Sequence, residues 1–200
     1  MNVRRILLAL SVTALCTAAA LSARAADTKP AMDQDAMMKE WAKMSSPSEG
    51  HAVFDKYVGK WNADVKSWMD PAAPPTESKG SAEFSKMFGG RYLVQSFHGS
   101  MMGQPFEGHG MTGYDNFRKE YQSTWMDDIS TAMMMMKGNK KSDGSFELSG
   151  MMDDPMTGTK DMKMRTVEKW VDNDHFNFAM YCTMTGQEMK MMEINYTRAK

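Results

Sequence analysis

The apolar and polar positions fall into three textures along the chain. An apolar stretch from Ile6 to Leu21, interrupted by Ser11, Thr13 and Thr17, comes first. A polar stretch from Ala26 to about Pro47 follows, broken by Lys29-Pro30 and by Ser45-Ser46-Pro47-Ser48; Asp33 to Met44 has the makings of a short helix inside this leader-like segment. Ser48 is placed to N-cap a helix through about Val58, with Val53, Phe54, Tyr57 and Val58 as a partial apolar stripe and Gly59 as its end. Beyond Gly59 the texture changes to short segments rich in aromatic, β-branched and methionine residues. Turn signals such as Gly89-Gly90, Asp115-Asn116, Gly138-Asn139 and Thr185-Gly186 separate them. The pattern predicts strands near 60–69, 79–88, 91–100, 106–115, 119–127, 131–137, 145–151, 161–171, 175–184 and 187–198. Ten sequential strands with hairpin-length connections and no helical crossover predict an all-β domain. They form either an up-and-down antiparallel barrel or a strongly curved sheet closing on itself.

The first texture also predicts the compartment. Arg4 and Arg5, the apolar run, and small residues at Ala23 and Ala25 have the order of a secretory signal cut after Ala25, so 1–25 reads as a signal peptide, 26–47 as a flexible polar leader and 48–200 as one domain. An exported protein, periplasmic or extracellular, is the expectation. Removal of the signal takes Arg4, Arg5 and Arg24 with it and leaves 21 basic residues against 25 acidic ones, a formal charge of −4. That balance gives no footing for nucleic acid. Met133 to Met136 is too short to cross a membrane, so no span is expected once the signal is gone. Cys182 is then the only cysteine, which excludes an intramolecular disulfide and leaves stability to the core.

The order of several short motifs narrows the fold. Gly59-Lys60-Trp61, Phe88-Gly89-Gly90-Arg91-Tyr92-Leu93, Thr112-Gly113-Tyr114-Asp115, Trp125-Met126-Asp127, Val167-Glu168-Lys169-Trp170 and Met192-Glu193-Ile194-Asn195-Tyr196-Thr197-Arg198 together resemble the domain-of-unknown-function family numbered 1579, from about residue 48 to the end. The resemblance implies an antiparallel up-and-down lipocalin-like barrel of about ten strands with a short N-terminal helix, and no settled activity. It also implies that Gly59 and Trp61 open the first strand while Arg198 on the last strand packs its guanidinium over the indole, a structural role. A ligand held in such a barrel is expected to touch Trp61, Tyr114, Trp125, Phe178, Met180, Cys182 and Met184.

Sulfur is the outlier, with 25 methionines in the chain. Across a two-residue turn at Thr185-Gly186, Met184 would pair with Gln187, Cys182 with Met189 and Met180 with Met191, putting Met180, Cys182, Met184, Met189 and Met191 on one face. Thioethers and a thiolate select Cu(I), yet methionine is also a flexible filler of apolar interiors. The opposite face, with Ala179, Tyr181, Met192, Ile194 and Tyr196, is equally core-like. His98 and His109 flank Gly103-Gln104-Pro105 and would face each other across that hairpin as a second soft-metal candidate. His51 and His175 read as ordinary polar positions, and Asp127-Asp128 as a solvated strand end. No nucleophile elbow, HExxH helix or phosphate-binding glycine loop is present in the sequence. The expectation is a non-enzymatic binding protein without a cofactor, holding a small apolar molecule. The alternatives are a Cu(I)-binding protein using the methionine, cysteine and histidine sets, and an oxidant buffer using reversible methionine oxidation.

Overall fold

Turn residues divide the chain into ten strands that close on themselves. The structure, a computed structural model, describes residues 33–70, 72–155 and 157–200; the expected signal peptide and the start of the leader lie outside them. The strands are β1 (Gly59–Ser67), β2 (Thr76–Met87), β3 (Tyr92–Met101), β4 (Gln104–Asp115), β5 (Glu120–Asp127), β6 (Met134–Lys140), β7 (Phe146–Asp154), β8 (Thr159–Trp170), β9 (His175–Met184) and β10 (Gln187–Arg198). Each pairs antiparallel with its sequence neighbour, and β1 also pairs with β10 through Trp61 opposite Arg198. A closed up-and-down barrel results, which leaves no free sheet edge among the described strands.

Two strand starts differ from the expected ones by three residues, for local reasons. β2 begins at Thr76 because its ladder with β1 continues down to Ser67 opposite Thr76. β6 begins three residues later than the apolar run suggests, because the β4–β5 ladder runs on to the Asp128 amide on the Glu107 carbonyl and the chain then turns, with the Ala132 amide donating to Ser130 Oγ. The connections at Met102-Gly103 and Thr185-Gly186 are two-residue turns with positive φ at both positions (52° and 78°; 49° and 83°), the primed geometry that suits twisted hairpins.

One end of the barrel is plugged. Helix α1 (Gln34–Ser45) has no buried residue, so no packing face explains it. Its C-terminal end is nevertheless tied down: Asn116 Nδ2 donates to the carbonyls of Met44 and Ser46, and Arg91 Nε to that of Ser45. The helix expected from Ser48 forms as α2 (Glu49–Ala52) followed by a 3-10 turn (Val53–Lys56). This segment drops Phe54 and Tyr57 into the barrel mouth, where both are buried. His51 is not an ordinary polar position. It is buried, lies edge-on to Phe54 and Tyr114 at 5.9 and 5.7 Å, and accepts the Ser48 amide at Nδ1.

The seal is completed around Trp61, which is wholly buried. The Arg198 guanidinium lies 4.2 Å from its ring centre and donates to the carbonyls of Val58, Lys56 and Asn173 and to Asp174. Gly59, at φ 123°, leaves room for that guanidinium.

Candidate functional site

A one-residue irregularity in β10 determines what the interior looks like. The hairpin begins in the expected register, with Met184 opposite Gln187 and Cys182 opposite Met189, but Met191 is bulged out and Met192 pairs with Met180. Had Met191 paired with Met180, the inward positions of β10 would have been Glu193, Asn195 and Thr197. The bulge turns Met192, Ile194 and Tyr196 inward instead, opposite Met180, Phe178 and Phe176. The β10 half of the second core-like face thus joins the first in one interior surface, while Ala179 and Tyr181 stay on the outer side of β9.

Between the plugged end and the open end lies a cavity of about 360 Å³. Its floor is aromatic. Phe176 stacks on Tyr196 at 4.4 Å, and Tyr57, Trp61 and Trp170 meet it edge-on or tilted at 4.9 to 5.4 Å. One wall towards the open end is sulfur: Met162, Met164 and Cys182 are buried, with Met134, Met136, Met152, Met180, Met184 and Met191 packed on them. Phe97, Phe106 and Trp125 line the cavity from β3, β4 and β5, with Trp125 beside Met134 of the sulfur wall.

Two carboxyl groups line this cavity, and among its lining residues there is no lysine, arginine or histidine. Glu168 sits near the floor and accepts the Tyr57 hydroxyl, which in turn accepts Trp170 Nε1 at 3.1 Å. Burial pushes its carboxyl up to about 7, against the opposing pull of the Tyr57 bond. The surface it retains faces the cavity. The Tyr57 hydroxyl is itself held well above its ordinary range by burial and by Glu168. Asp127 ends β5 towards the opening. Its Oδ2 accepts Trp125 Nε1 at 3.0 Å, while Oδ1 is enclosed and has no hydrogen-bond partner among the described residues. Gln95 Nε2 donates to the Tyr196 hydroxyl at 3.2 Å, and burial holds that hydroxyl above its usual range.

Sequence-selected residues divide sharply by position. Trp125, Phe178 and Met180 line the cavity. Trp61 lies beneath the floor with its Nε1 on the Tyr57 carbonyl, and Tyr114 packs on His51 and on Tyr121 at 4.8 Å, beside the plug. Cys182 and Met184 belong to the sulfur wall behind the lining. Cys182 Sγ is 3.7 Å from Met152 Sδ, and burial together with the Asp154 charge pushes its thiol up, so the neutral thiol is the resident form. Met180, Cys182, Met184 and Met191 come together there, while Met189 is only partly buried opposite Cys182.

His98 and His109 do not face each other across their hairpin. The turn is Met102-Gly103, one residue earlier than the expected loop, so His98 pairs with Glu107 and His109 with Ser96. Both are exposed, on the outer side of strands whose inward positions are Phe97 and Gly110, and His109 is bonded to Ser96 and Glu107. Asp127 is also not a solvated strand end, since it lines the cavity. Sequence reasoning missed Glu168 and Asp127 as a pair. Glu168 did carry a signal: Met162, Met164, Thr166, Glu168 and Trp170 alternate along β8, which puts an acid on the inward series.

A family model described as "Protein of unknown function (DUF1579)" matches residues 46–198. No curated protein matches the chain. Among solved structures, Rv2717c from M. tuberculosis is similar with a TM-score of 0.60 at 15% identity, over 78% of this chain and 100% of that one. The S-type phycobiliprotein lyase CPES from Guillardia theta is similar with a TM-score of 0.54 at 12% identity, over 77% of this chain and 99% of that one. At these identities the likeness is one of fold.

Proposed function

We propose, from the premise that the chain belongs to the DUF1579 family of proteins of unknown function, that it is an exported, non-enzymatic protein that holds a small, largely apolar molecule inside its barrel. The observation that carries this reading is the cavity of about 360 Å³, sealed by the plug and lined chiefly by aromatic, aliphatic and thioether groups. Ligand sites are typically concave, apolar and of a few hundred Å³, with a few polar groups fixing orientation. The barrel fold, shared with a protein named as a phycobiliprotein lyase, suits such a role. The non-enzymatic part rests on Glu168, whose carboxyl is committed to Tyr57 and Trp170 through one hydrogen-bonded chain, an arrangement suited to bracing the floor. Export rests on the signal-like order of residues 1–25 and predicts an N-terminus at Ala26 in protein recovered outside the cytoplasm, read by mass spectrometry.

The binding claim is tested with a neutral apolar fluorophore, N-phenyl-1-naphthylamine. Its emission is expected to rise and to saturate at one probe per chain. Leu148→Trp, which adds bulk at a cavity-lining position, is expected to weaken uptake by roughly tenfold or more while the thermal transition is kept. Non-saturating uptake, or uptake indifferent to Leu148→Trp, would remove the cavity as the site.

A further inference from the structure

We infer that the molecule held in the cavity is cationic at one end, an apolar body bearing a protonated amine, and that Asp127 receives the amine near the open end of the barrel. The inference rests on the ligand-binding reading above and adds the charge of the ligand to it.

The charge of the lining is the first ground. Asp127 and Glu168 are its ionisable carboxyl groups, and no basic side chain lines the cavity to offset them. A carboxylate or phosphate ligand entering this low-dielectric space meets no counter-charge and faces repulsion from Asp127. An ammonium group meets the opposite: a carboxylate to pair with, and aromatic faces beside it.

The second ground is the unfinished hydrogen bonding of Asp127. Trp125 Nε1 holds Oδ2, but Oδ1 has no donor within reach among the described residues. An enclosed carboxylate oxygen left without a donor is costly, and such sites call for an absent partner. Asp127 lines the cavity, and because the last side-chain torsion of aspartate is broad, a partial turn of the carboxylate presents the unpartnered acceptor there without disturbing β5.

The third ground is the indole beside it. A Cβ at Gly108 would stand 2.2 Å from the Trp125 ring, so glycine there lets the indole lie against β4. Trp125 therefore lines the cavity next to the carboxylate that it anchors. A tryptophan face beside a carboxylate is a combination that attracts an organic cation.

Calorimetric titration of the protein at pH 7 with decylamine, decanol and decanoate separates the possibilities, because the three probes share one apolar chain and differ in head group. Decylammonium is expected to bind roughly tenfold tighter than decanol or better, with decanoate weakest. Asp127→Asn is expected to bring decylammonium down to the affinity of decanol. Decanoate binding as tightly as decylammonium, or an ammonium preference that survives in Asp127→Asn, overturns the inference and leaves the apolar cavity standing. If none of the three titrates, the ligand-binding reading itself fails and this inference goes with it. The head-group order in the unaltered protein decides the matter even if Asp127→Asn folds poorly.

Discussion

At the plugged end of the barrel the interior is built of rings whose polar atoms have partners: Trp61 Nε1 on the Tyr57 carbonyl, Trp170 Nε1 on the Tyr57 hydroxyl, Tyr57 on Glu168. Towards the open end, along β6 to β10, it is built of thioethers and one thiol. The two regions bury apolar surface in different ways. Rings fix one another through edge-to-face geometry, and their N–H and O–H groups require defined partners, so that end has essentially one arrangement. Methionine is unbranched, carries three soft torsions and asks for no hydrogen bond, so the other wall can repack around different shapes. The contrast teaches how one barrel can combine a rigid floor with an adaptable wall, with the acid at the opening left to select by charge.

The contrast breaks most visibly if the floor is emptied. Phe176 is 1% exposed and touches Tyr57, Trp61, Phe84, Trp170 and Tyr196. Phe176→Ala is expected to cost about 3–5 kcal/mol, the range for truncating a buried aromatic whose neighbours cannot collapse into the space. Urea denaturation followed by far-UV circular dichroism measures it; a loss under about 1 kcal/mol would show that the floor is as pliable as the sulfur wall.

Glu168 sharpens the comparison through pH. Its carboxyl is pushed up to about 7 in the folded barrel, against 4.5 as its ordinary value, because burial disfavours the charge. Below about pH 4.5 the group is protonated in both folded and unfolded chains and carries no penalty. As pH rises through the folded value the unfolded chain ionises more readily, so stability falls by about 3 kcal/mol between pH 4.5 and 7 and then levels. Glu168→Gln keeps an acceptor for Tyr57 and removes the charge. It is expected to match the parent near pH 4.5, to exceed it by up to about 3 kcal/mol at pH 8, and to flatten the intervening slope. Chemical denaturation at a series of pH values checks all three, and an unchanged slope would place the titrating group elsewhere.

How much of this was legible in the sequence differs between the same two regions. The ten strands and their up-and-down order followed from turn residues and short apolar segments, because hairpin connections are local, and the Trp61–Arg198 contact followed from the family resemblance; full closure shows only in the pairing of β1 with β10. The interior face of β9 and β10 did not follow, because both faces of that hairpin are apolar and the bulge at Met191 has no residue signature. The His98 and His109 geometry failed for a similar reason: a turn one residue earlier than the glycine-proline loop changes which residues stand opposite. Asp127 was misplaced because a polar residue at a strand end looks solvated until the strand is seen to end at a cavity. Cavity-facing and solvent-facing ends differ only in three dimensions.

The sulfur wall should respond least, and the size of its response bears on what the sulfur is for. Met164 is 2% exposed, packs with Met162 and Cys182, and lines the cavity. Leucine has nearly its volume and no sulfur. If the wall is adaptable packing, Met164→Leu costs less than about 1.5 kcal/mol by urea denaturation, as volume-conserving core exchanges do. Probe uptake by the cavity should then persist with a modest change in affinity, since the wall repacks around the ligand. A loss as large as that of Phe176→Ala would contradict the plan, because it would mean that a thioether at this position is fixed as firmly as a ring on the floor.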